Sequence, residues 1–304
     1  MTIALSVSNL SKSYNGKLAV DDISFDVRAG EKFVFVGPNG AGKTTTIKMI
    51  TTLLEKDAGE IAYGDLLVGR DDFAIRNKIG VVFQHHVLDD DFTVRENLIC
   101  RGGFYDLNAK ELKQRADEVI QVLDMSSFAN QRYGKLSGGQ RRRADIGRAL
   151  MQSPEFLFLD EPTTGLDPQT RRVVWEIING IQRDLGTTLF LTTHYMEETD
   201  DASSVYIIDH GKIVANGSPA SLKKEHAPNL LNIYSKTPDS VVRFLTDKGY
   251  EPTLIDTTVR TIIPNAFDVL PLIEALRDDI DNFELVNGRM DDVFIAITGK
   301  ELRE

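Results

Sequence analysis

Gly37-Pro38-Asn39-Gly40-Ala41-Gly42-Lys43-Thr44-Thr45 is the stretch from which the fold of the chain can be read. It meets the phosphate-binding pattern GxxxxGK[ST] at every fixed position. Ahead of it, Phe33-Val34-Phe35-Val36 is a short apolar run of the kind that forms a buried strand. After it, Ile47, Ile50 and Leu54 recur at helical spacing. At average residue usage the four fixed positions alone recur by chance in roughly one chain in a hundred of this length; strand, glycine turn and helix start together make the pattern a site. Glycines let the backbone turn tightly and gather N–H donors at one point. The helix that opens there adds its positive dipole end. Lys43 supplies a point charge for β- and γ-phosphates, and the Thr44 hydroxyl is placed to ligate Mg²⁺. A nucleoside triphosphate, ATP or a relative, is the expected ligand.

Working outward, the 304 residues are enough for one large domain and a small one, and 41% hydrophobic with 27% charged residues is ordinary for a soluble globular chain. No apolar run approaches the roughly eighteen residues of a membrane span. Met1 to Ser13 lack the basic and apolar regions of a secretion signal, so a cytoplasmic location is expected. The single cysteine, Cys100, excludes an internal disulfide and a multi-cysteine metal site, and reads as a small buried apolar residue. A net charge of −11 argues against a nucleic-acid surface and against adsorption to an anionic membrane by charge. If the chain works at a membrane, a protein partner must hold it there.

Ile3–Val7, Lys17–Val20 and Ile23–Val27 read as short strands separated by turn signals at Asn15-Gly16 and Ala29-Gly30. Another strand pair is expected within Gly59–Val68, and Ile79–Phe83 is a buried-type strand ending at Gln84. From about 85 to 148 the pattern turns helical, with a capping box at Thr93-Val94-Arg95-Glu96 and a cap at Asn108. Leu112, Ala116, Val119, Ile120 and Leu123 share one face of the helix that Asn108 opens. Glu155–Leu159 and Thr187–Leu191 are unbroken apolar strands with a helix between them. Such strands joined by helices predict a parallel sheet covered on both faces. A hairpin at Val205–Ala215 and the punctuation Asn216-Gly217-Ser218-Pro219 close a first domain, 1–218. The remainder, 219–304, runs βαββαβ and then a last helix, which predicts a small ferredoxin-like α/β domain.

The chemistry gathers at three further segments. Phe156-Leu157-Phe158-Leu159-Asp160-Glu161 ends an apolar strand in two carboxylates, and ligands of open α/β sheets sit at carboxyl ends of strands. Alone, such a pair is as well explained as a solvated strand end. Following a phosphate loop, it predicts Asp160 facing Mg²⁺ and Glu161 polarising the attacking water as general base. Leu136-Ser137-Gly138-Gly139-Gln140 opens a helix, and Ser-Gly-Gly at a helix start is a second phosphate cradle. Two cradles in one chain, only one of them with a lysine, need an explanation.

At this point the chain resembles the ATP-binding subunits of ABC transporters, whose signature is LSGGQ, over roughly the first 220 residues. The resemblance implies the P-loop NTPase fold of that family: a parallel-sheet core, an N-terminal antiparallel β subdomain and a helical insertion. It implies two subunits paired head to tail, each ATP lying between Gly37–Thr45 of one and Ser137, Gly138, Gly139 and Gln140 of the other. It also implies that Tyr14 stacks on adenine, and that Gln84 contacts Mg²⁺ and the attacking water. In the same way Gly165-Leu166-Asp167 would cross the dimer and His194 would hydrogen-bond the γ-phosphate. Gly147 departs from the family, where alanine is more usual; glycine costs roughly 1 kcal/mol in a helix interior and questions the rigidity of that helix.

Thr192-Thr193-His194-Tyr195-Met196-Glu197-Glu198 and the ending Met290–Gly299 are similar to the daunorubicin-resistance type of exporter ATPase, whose subunits carry a small C-terminal domain and serve separate permeases. That resemblance implies a homodimer or a pair with a paralogous ATPase, bound through permease subunits to the inner face of the cell membrane, with no membrane insertion of its own. An import ATPase with a regulatory tail, or a soluble non-transport ATPase, is the competing expectation. Val87, Leu88 and Phe92 around the acidic run Asp89–Asp91 are expected to form a groove for a permease helix.

Overall fold

Alternating apolar residues carry the two long strands β1 (Ile3–Tyr14) and β2 (Lys17–Arg28), which pair antiparallel in a computed structural model describing residues 2–105 and 107–299. Residues 1, 106 and 300–304, and with them the last five of the span 219–304, lie outside the described residues. Asn15 and Gly16 close the hairpin with φ of 51° and 78°, the signs that a two-residue type I′ turn requires. The three short strands expected here are two continuous ones. What reads as a break is a pair of irregularities: Asn9 and Asp22 have positive φ, the register shifts between Val7 and Leu10, and Asn9 Nδ2 donates to Asp22 Oδ1 at 2.9 Å. An extra residue of this kind bends a strand without ending its ladder. The chain continues through β3 (Lys32–Val36) and α1 (Lys43–Ile50), then returns as β4 (Ala58–Tyr63) and β5 (Leu66–Leu67), giving a sheet ordered β2-β1-β4-β5.

After α2 (Asp72–Arg76) and β6 (Ile79–Val82) come the helices α3 (Val94–Gly102), α4 (Ala109–Val122) and α5 (Gly138–Leu150). Then follow β7 (Phe156–Asp160), α6 (Pro168–Leu185), β8 (Thr188–Thr193), β9 (Ser204–Asp209) and β10 (Lys212–Gly217). The second sheet is ordered β10-β9-β3-β8-β7-β6, with β3 parallel to β8 and β9, and β7 parallel to β6 and β8. Every residue of β3, β7 and β8 is buried, as strands covered on both faces must be. Phe25 of β2 enters an aromatic cluster with the core sheet, in which the Phe33 ring lies 4.8 Å from that of Phe190 and 4.7 Å from that of Tyr206. Such pairs add about 0.5–1.5 kcal/mol each beyond the area they bury. Parallel strands put their carboxyl ends on one edge, so Gly37, Gln84, Asp160-Glu161 and His194 all follow strands that end there.

Both predicted caps of the insertion form. Thr93 accepts from Glu96 N, Asn108 accepts from Lys110 N and Glu111 N, and each has the reciprocal glutamate bond of a capping box. Cys100, expected inside, is exposed. The inward residues of α3 are Val94, Asn97 and Leu98, and Cys100 lies about 200° round the helix from Leu98. Gly147 lets α5 approach closely: a Cβ there would meet Met125 Cε at 3.0 Å, Leu123 Cδ1 at 3.1 Å and Val119 Cγ1 at 3.2 Å. The helix-propensity cost of glycine accompanies that tight contact.

The chain divides into two compact units, Met1–Asn216 and Gly217–Glu304. The second runs α7 (Pro219–His226), β11 (Asn229–Tyr234), α8 (Pro238–Asp247), β12 (Thr253–Ile255), β13 (Thr258–Ile263), α9 (Val269–Ala275), β14 (Asn282–Val286) and α10 (Met290–Thr298). Its antiparallel sheet is ordered β12-β13-β11-β14, the βαββαβ ferredoxin-like arrangement with the first and third strands central. Leu231, Ile233, Val259 and Ile263 of the sheet pack on Val241, Leu245 and Leu272 of the helices. Among the described residues no helix is long and apolar enough to cross a membrane.

Candidate active site

The phosphate loop is confined by backbone on two sides. A Cβ at Gly37 would stand 2.2 Å from Ile208 O, and one at Gly42 2.4 Å from Ala19 O, with Gly42 at φ 109°. The first helical bond of α1 runs from Thr46 N to Gly42 O at 2.9 Å, so the N–H groups of Lys43, Thr44 and Thr45 have no intrahelical acceptor and form an anion site with the helix dipole. They border a cavity of about 320 Å³ lined also by Ala19, Asn39, Gly40, Gln84 and Glu161. Substituting Gly37 by alanine must displace either the loop or the Ile208 backbone, at about 1–3 kcal/mol. The expected result is a lowered Tm together with loss of ADP binding, read by thermal unfolding with and without nucleotide.

Lys43 is buried and folds back on the loop, donating to Gly37 O at 2.7 Å and Pro38 O at 3.1 Å, with Glu161 Oε1 3.4 Å from its Nζ. Burial lowers its ammonium below the usual range, against the pull of the Glu161 and Asp160 charges; a polyphosphate in the cavity would favour the charged form further. Asp160 Oδ1 accepts from Thr44 at 3.2 Å and from Thr192 at 2.6 Å. Thr44 and Asp160 bring hard oxygen donors together beside the phosphate loop, and the Gln84 amide lines the same cavity. No cluster of three or more His, Cys, Asp or Glu forms a metal cage among the described residues. That set fits Mg²⁺, which is commonly held by one or two protein oxygens and the substrate's phosphates.

Glu161 has φ of 48°, left-handed backbone that few non-glycine residues adopt and that costs about 1–2 kcal/mol. Its N–H is pinned by the Thr192 carbonyl and hydroxyl, both at 3.1 Å, so the turn out of β7 is held by β8. Its Oε2 accepts from Gln84 Nε2 at 3.2 Å and Thr164 Oγ1 at 3.1 Å, and His194 Nδ1 lies 3.3 Å away without hydrogen-bond geometry. Backbone strain at one carboxylate, with two polar side chains donating to it, makes Glu161 a candidate for a group held for chemistry.

The second cradle forms as a helix start. Ser137 caps α5, accepting from Gln140 N at 3.3 Å while Gln140 Oε1 accepts from Ser137 N at 3.0 Å. A Cβ at Gly139 would meet Thr170 Cγ2 at 2.2 Å, and one at Gly138 would meet Leu166 Cδ2 at 3.4 Å. The start of α5 therefore rests on Leu166 and the first turn of α6. Asp167 caps that turn by accepting from Gln169 N at 3.1 Å and Thr170 N at 3.0 Å. Ser137–Gln140, Asp167 and Tyr14 line no part of the phosphate-loop cavity. Tyr14 ends β1 and is 47% exposed. The Ser137–Gln140 turn and the phosphate loop thus share no cavity within one chain.

Two arginines of α5 were not singled out from sequence. Arg142 donates to Phe83 O at 2.6 Å and Gln84 O at 3.0 Å, Arg148 donates to Val81 O, and His86 Nδ1 lies 2.5 Å from Asp145 Oδ2. The helix that opens at Ser137 thereby grips the segment that carries Gln84. The available signal was Arg142 and Asp145 sharing a helical face with Ile146 and Ala149, all four of them buried.

A family model described as ABC transporter matches residues 20–164. The chain is 36% identical over 306 residues to the Nod factor export ATP-binding protein I of Paraburkholderia xenovorans (strain LB400), spanning 99% of each. It is 35% identical over 311 residues to the daunorubicin/doxorubicin resistance ATP-binding protein of Streptomyces peucetius, covering 98% of this chain and 93% of that protein. A solved dimeric ATP-binding cassette, in a post-hydrolysis state with ADP and Pi, matches at TM-score 0.65 and 27% identity over 70% of this chain and 98% of its own. With a phosphate loop, a carboxylate edge and a second cradle already in place, these likenesses lead to one conclusion: the chain belongs to the ABC transporter family of ATP-binding proteins and is an ATPase.

Proposed function

We propose that the chain is the ATPase subunit of an exporter, driving a separate membrane permease by ATP-dependent head-to-tail pairing of two copies, or of one copy with a paralogous subunit. The observation that carries this reading is the pair of half-sites: a loop with a lysine and carboxylates, and a signature helix start apart from it. Residues 1–218 are the ATP-binding domain and 219–304 an accessory domain. Export is the activity named for the Nod factor relative. The subunit works at the inner face of the cell membrane, held there by the permease.

In this reading Gly37, Pro38, Asn39, Gly40, Ala41, Gly42, Lys43, Thr44 and Thr45 cradle the phosphates, and Tyr14 stacks on the adenine. Thr44, Asp160 and Gln84 would hold Mg²⁺, which when bound offsets charge on the β- and γ-phosphates. Glu161 accepts the proton of the attacking water. His194 hydrogen-bonds the γ-phosphate of the same site. Ser137, Gly138, Gly139, Gln140 and Asp167 complete the site of the opposing subunit, so hydrolysis removes the group that holds the two together.

The permease contact is assigned to the groove between α2 and the α3–α4 region, a cavity of about 430 Å³ whose walls include Phe73 and Phe104. These two phenylalanines are 79% and 76% exposed, more than Val87 and Phe92 of the expected groove at 37% and 42%, whose third member, Leu88, is buried. Two bare aromatic rings fit the apolar side of an amphipathic helix. In a Cys100→Ser background, Phe104→Cys is expected to crosslink to a co-expressed permease carrying a cysteine in a cytoplasmic loop. Crosslinks only to Val87→Cys would return the contact to the acidic run, and crosslinks to neither would remove the docking assignment.

A further inference from the structure

Behind the catalytic edge lies a buried carboxylate that none of the steps above uses. Glu198 sits in the short turn Met196–Thr199 and is 5% exposed. Its Oε1 accepts from the Thr163 hydroxyl and, at 2.9 Å, from the indole Nε1 of Trp175. Its Oε2 accepts from the Thr193 hydroxyl at 2.5 Å, and the Thr193 oxygen in turn accepts from Tyr195 N at 2.9 Å. All three side chains donate to it in this arrangement, and its two oxygens have the acceptor capacity to take the three bonds at once. Burial, the largest influence, raises the carboxyl above its usual range, and the Thr163, Thr193 and Trp175 bonds and the Arg171 charge pull it only part of the way back.

The three donors come from three different parts of the site. Thr163 stands two residues after Glu161, in the loop that ends at Asp167, and its neighbour Thr164 donates to Glu161 Oε2. Thr193 is the last residue of β8, directly before His194. Trp175 lies on α6, the helix that Asp167 caps. A carboxylate serving only to satisfy one buried donor would not need to join these segments. We propose that Glu198 is a positioning residue for ATP hydrolysis, holding the Thr163–Asp167 loop and the Thr193–His194 strand end in one register, so that the half-site offered to the second subunit and the site of its own chain engage the γ-phosphate together. This rests on the role given above to Glu161.

Glu198→Gln keeps the volume but replaces one acceptor oxygen by an NH₂ group, so the side chain no longer accepts at both ends, and one of the three donors either loses its bond or, if a threonine, must turn its hydroxyl round to accept. The expected result is a fall in kcat on the order of 10–100-fold, the range seen when residues supporting a catalytic group are removed. The KM for ATP stays within roughly twofold, because the phosphate loop is untouched. Trp175 is the only tryptophan of the chain, so its emission reads the same bond directly. Glu198→Gln should shift that emission and abolish its response to MgATP. If Glu198→Gln does not fold, Thr163→Val removes a single donor and should show the same split of kcat from KM. Wild-type kcat in a folded variant, or KM rising in step with the loss, overturns the proposal. Glu161→Gln is measured alongside: turnover surviving there refutes the general-base role, whereas a silent Glu161→Gln beside a fully active Glu198→Gln refutes the positioning role alone.

Discussion

Replacing Glu161 by glutamine is expected to lower steady-state ATP turnover by about 10²–10⁴-fold while leaving ATP bound as tightly as before. The amide cannot take a proton from water, but it keeps the side-chain length and can still meet Gln84 and Thr164, which touch Oε2. It removes the negative charge 3.4 Å from Lys43 Nζ, which frees the ammonium for phosphate rather than weakening the site. Phosphate release measures the first expectation and displacement of a fluorescent nucleotide the second. Because hydrolysis is what separates the subunits, the variant should also accumulate as an ATP-dependent dimer on a sizing column. Loss of ATP binding in a folded Glu161→Gln chain would contradict the role.

Truncating Ser137 to alanine is expected to cost hydrolysis about 10²–10³-fold, the effect of removing one donor aimed at developing charge. Locally the change is small: the Gln140 N–H loses its cap, about 1 kcal/mol of helix stability. The cavity around Lys43 does not include Ser137, so nucleotide affinity measured at concentrations too low for pairing should not change. Affinity and turnover falling by the same factor would mean that Ser137 acts within its own subunit, and the trans role would be lost.

How much of this was legible follows from where each constraint originates. The phosphate loop could be read because its glycines answer to backbone geometry: a Cβ at Gly37 or Gly42 collides with carbonyls of β9 and β2, whatever surrounds them. The caps at Thr93, Asn108 and Ser137 were legible because each is satisfied within three residues. The βαββαβ order of the second unit was readable from alternating element types, because each strand and helix there shows its own apolar period.

What stayed hidden depends on neighbours remote in sequence. Arg142 could as well have been a solvated arginine among three, and only the fold brings it to the carbonyls of Phe83 and Gln84. Glu198 looked like part of a family-like run, and its three donors lie 5, 23 and 35 residues away. The left-handed backbone of Glu161 has no composition signal, since the constraint comes from Thr192 on the adjacent strand. The first hairpin is longer than its apolar runs suggest, because Asn9 and Asp22 are irregularities inside a ladder that only cross-strand pairing reveals.

The shared site is tested most directly by mixing two variants, each defective in a different half. Lys43→Ala spoils the loop, and Ser137→Arg blocks the signature that is offered to the other subunit. Neither homodimer contains an intact site, but a heterodimer has one, formed by the loop of the second chain and the signature of the first. Random pairing at equal concentrations should restore about a quarter of wild-type turnover. Activity in the mixture no greater than the sum of the two variants alone, with heterodimers demonstrably present, would contradict an active site built from two subunits.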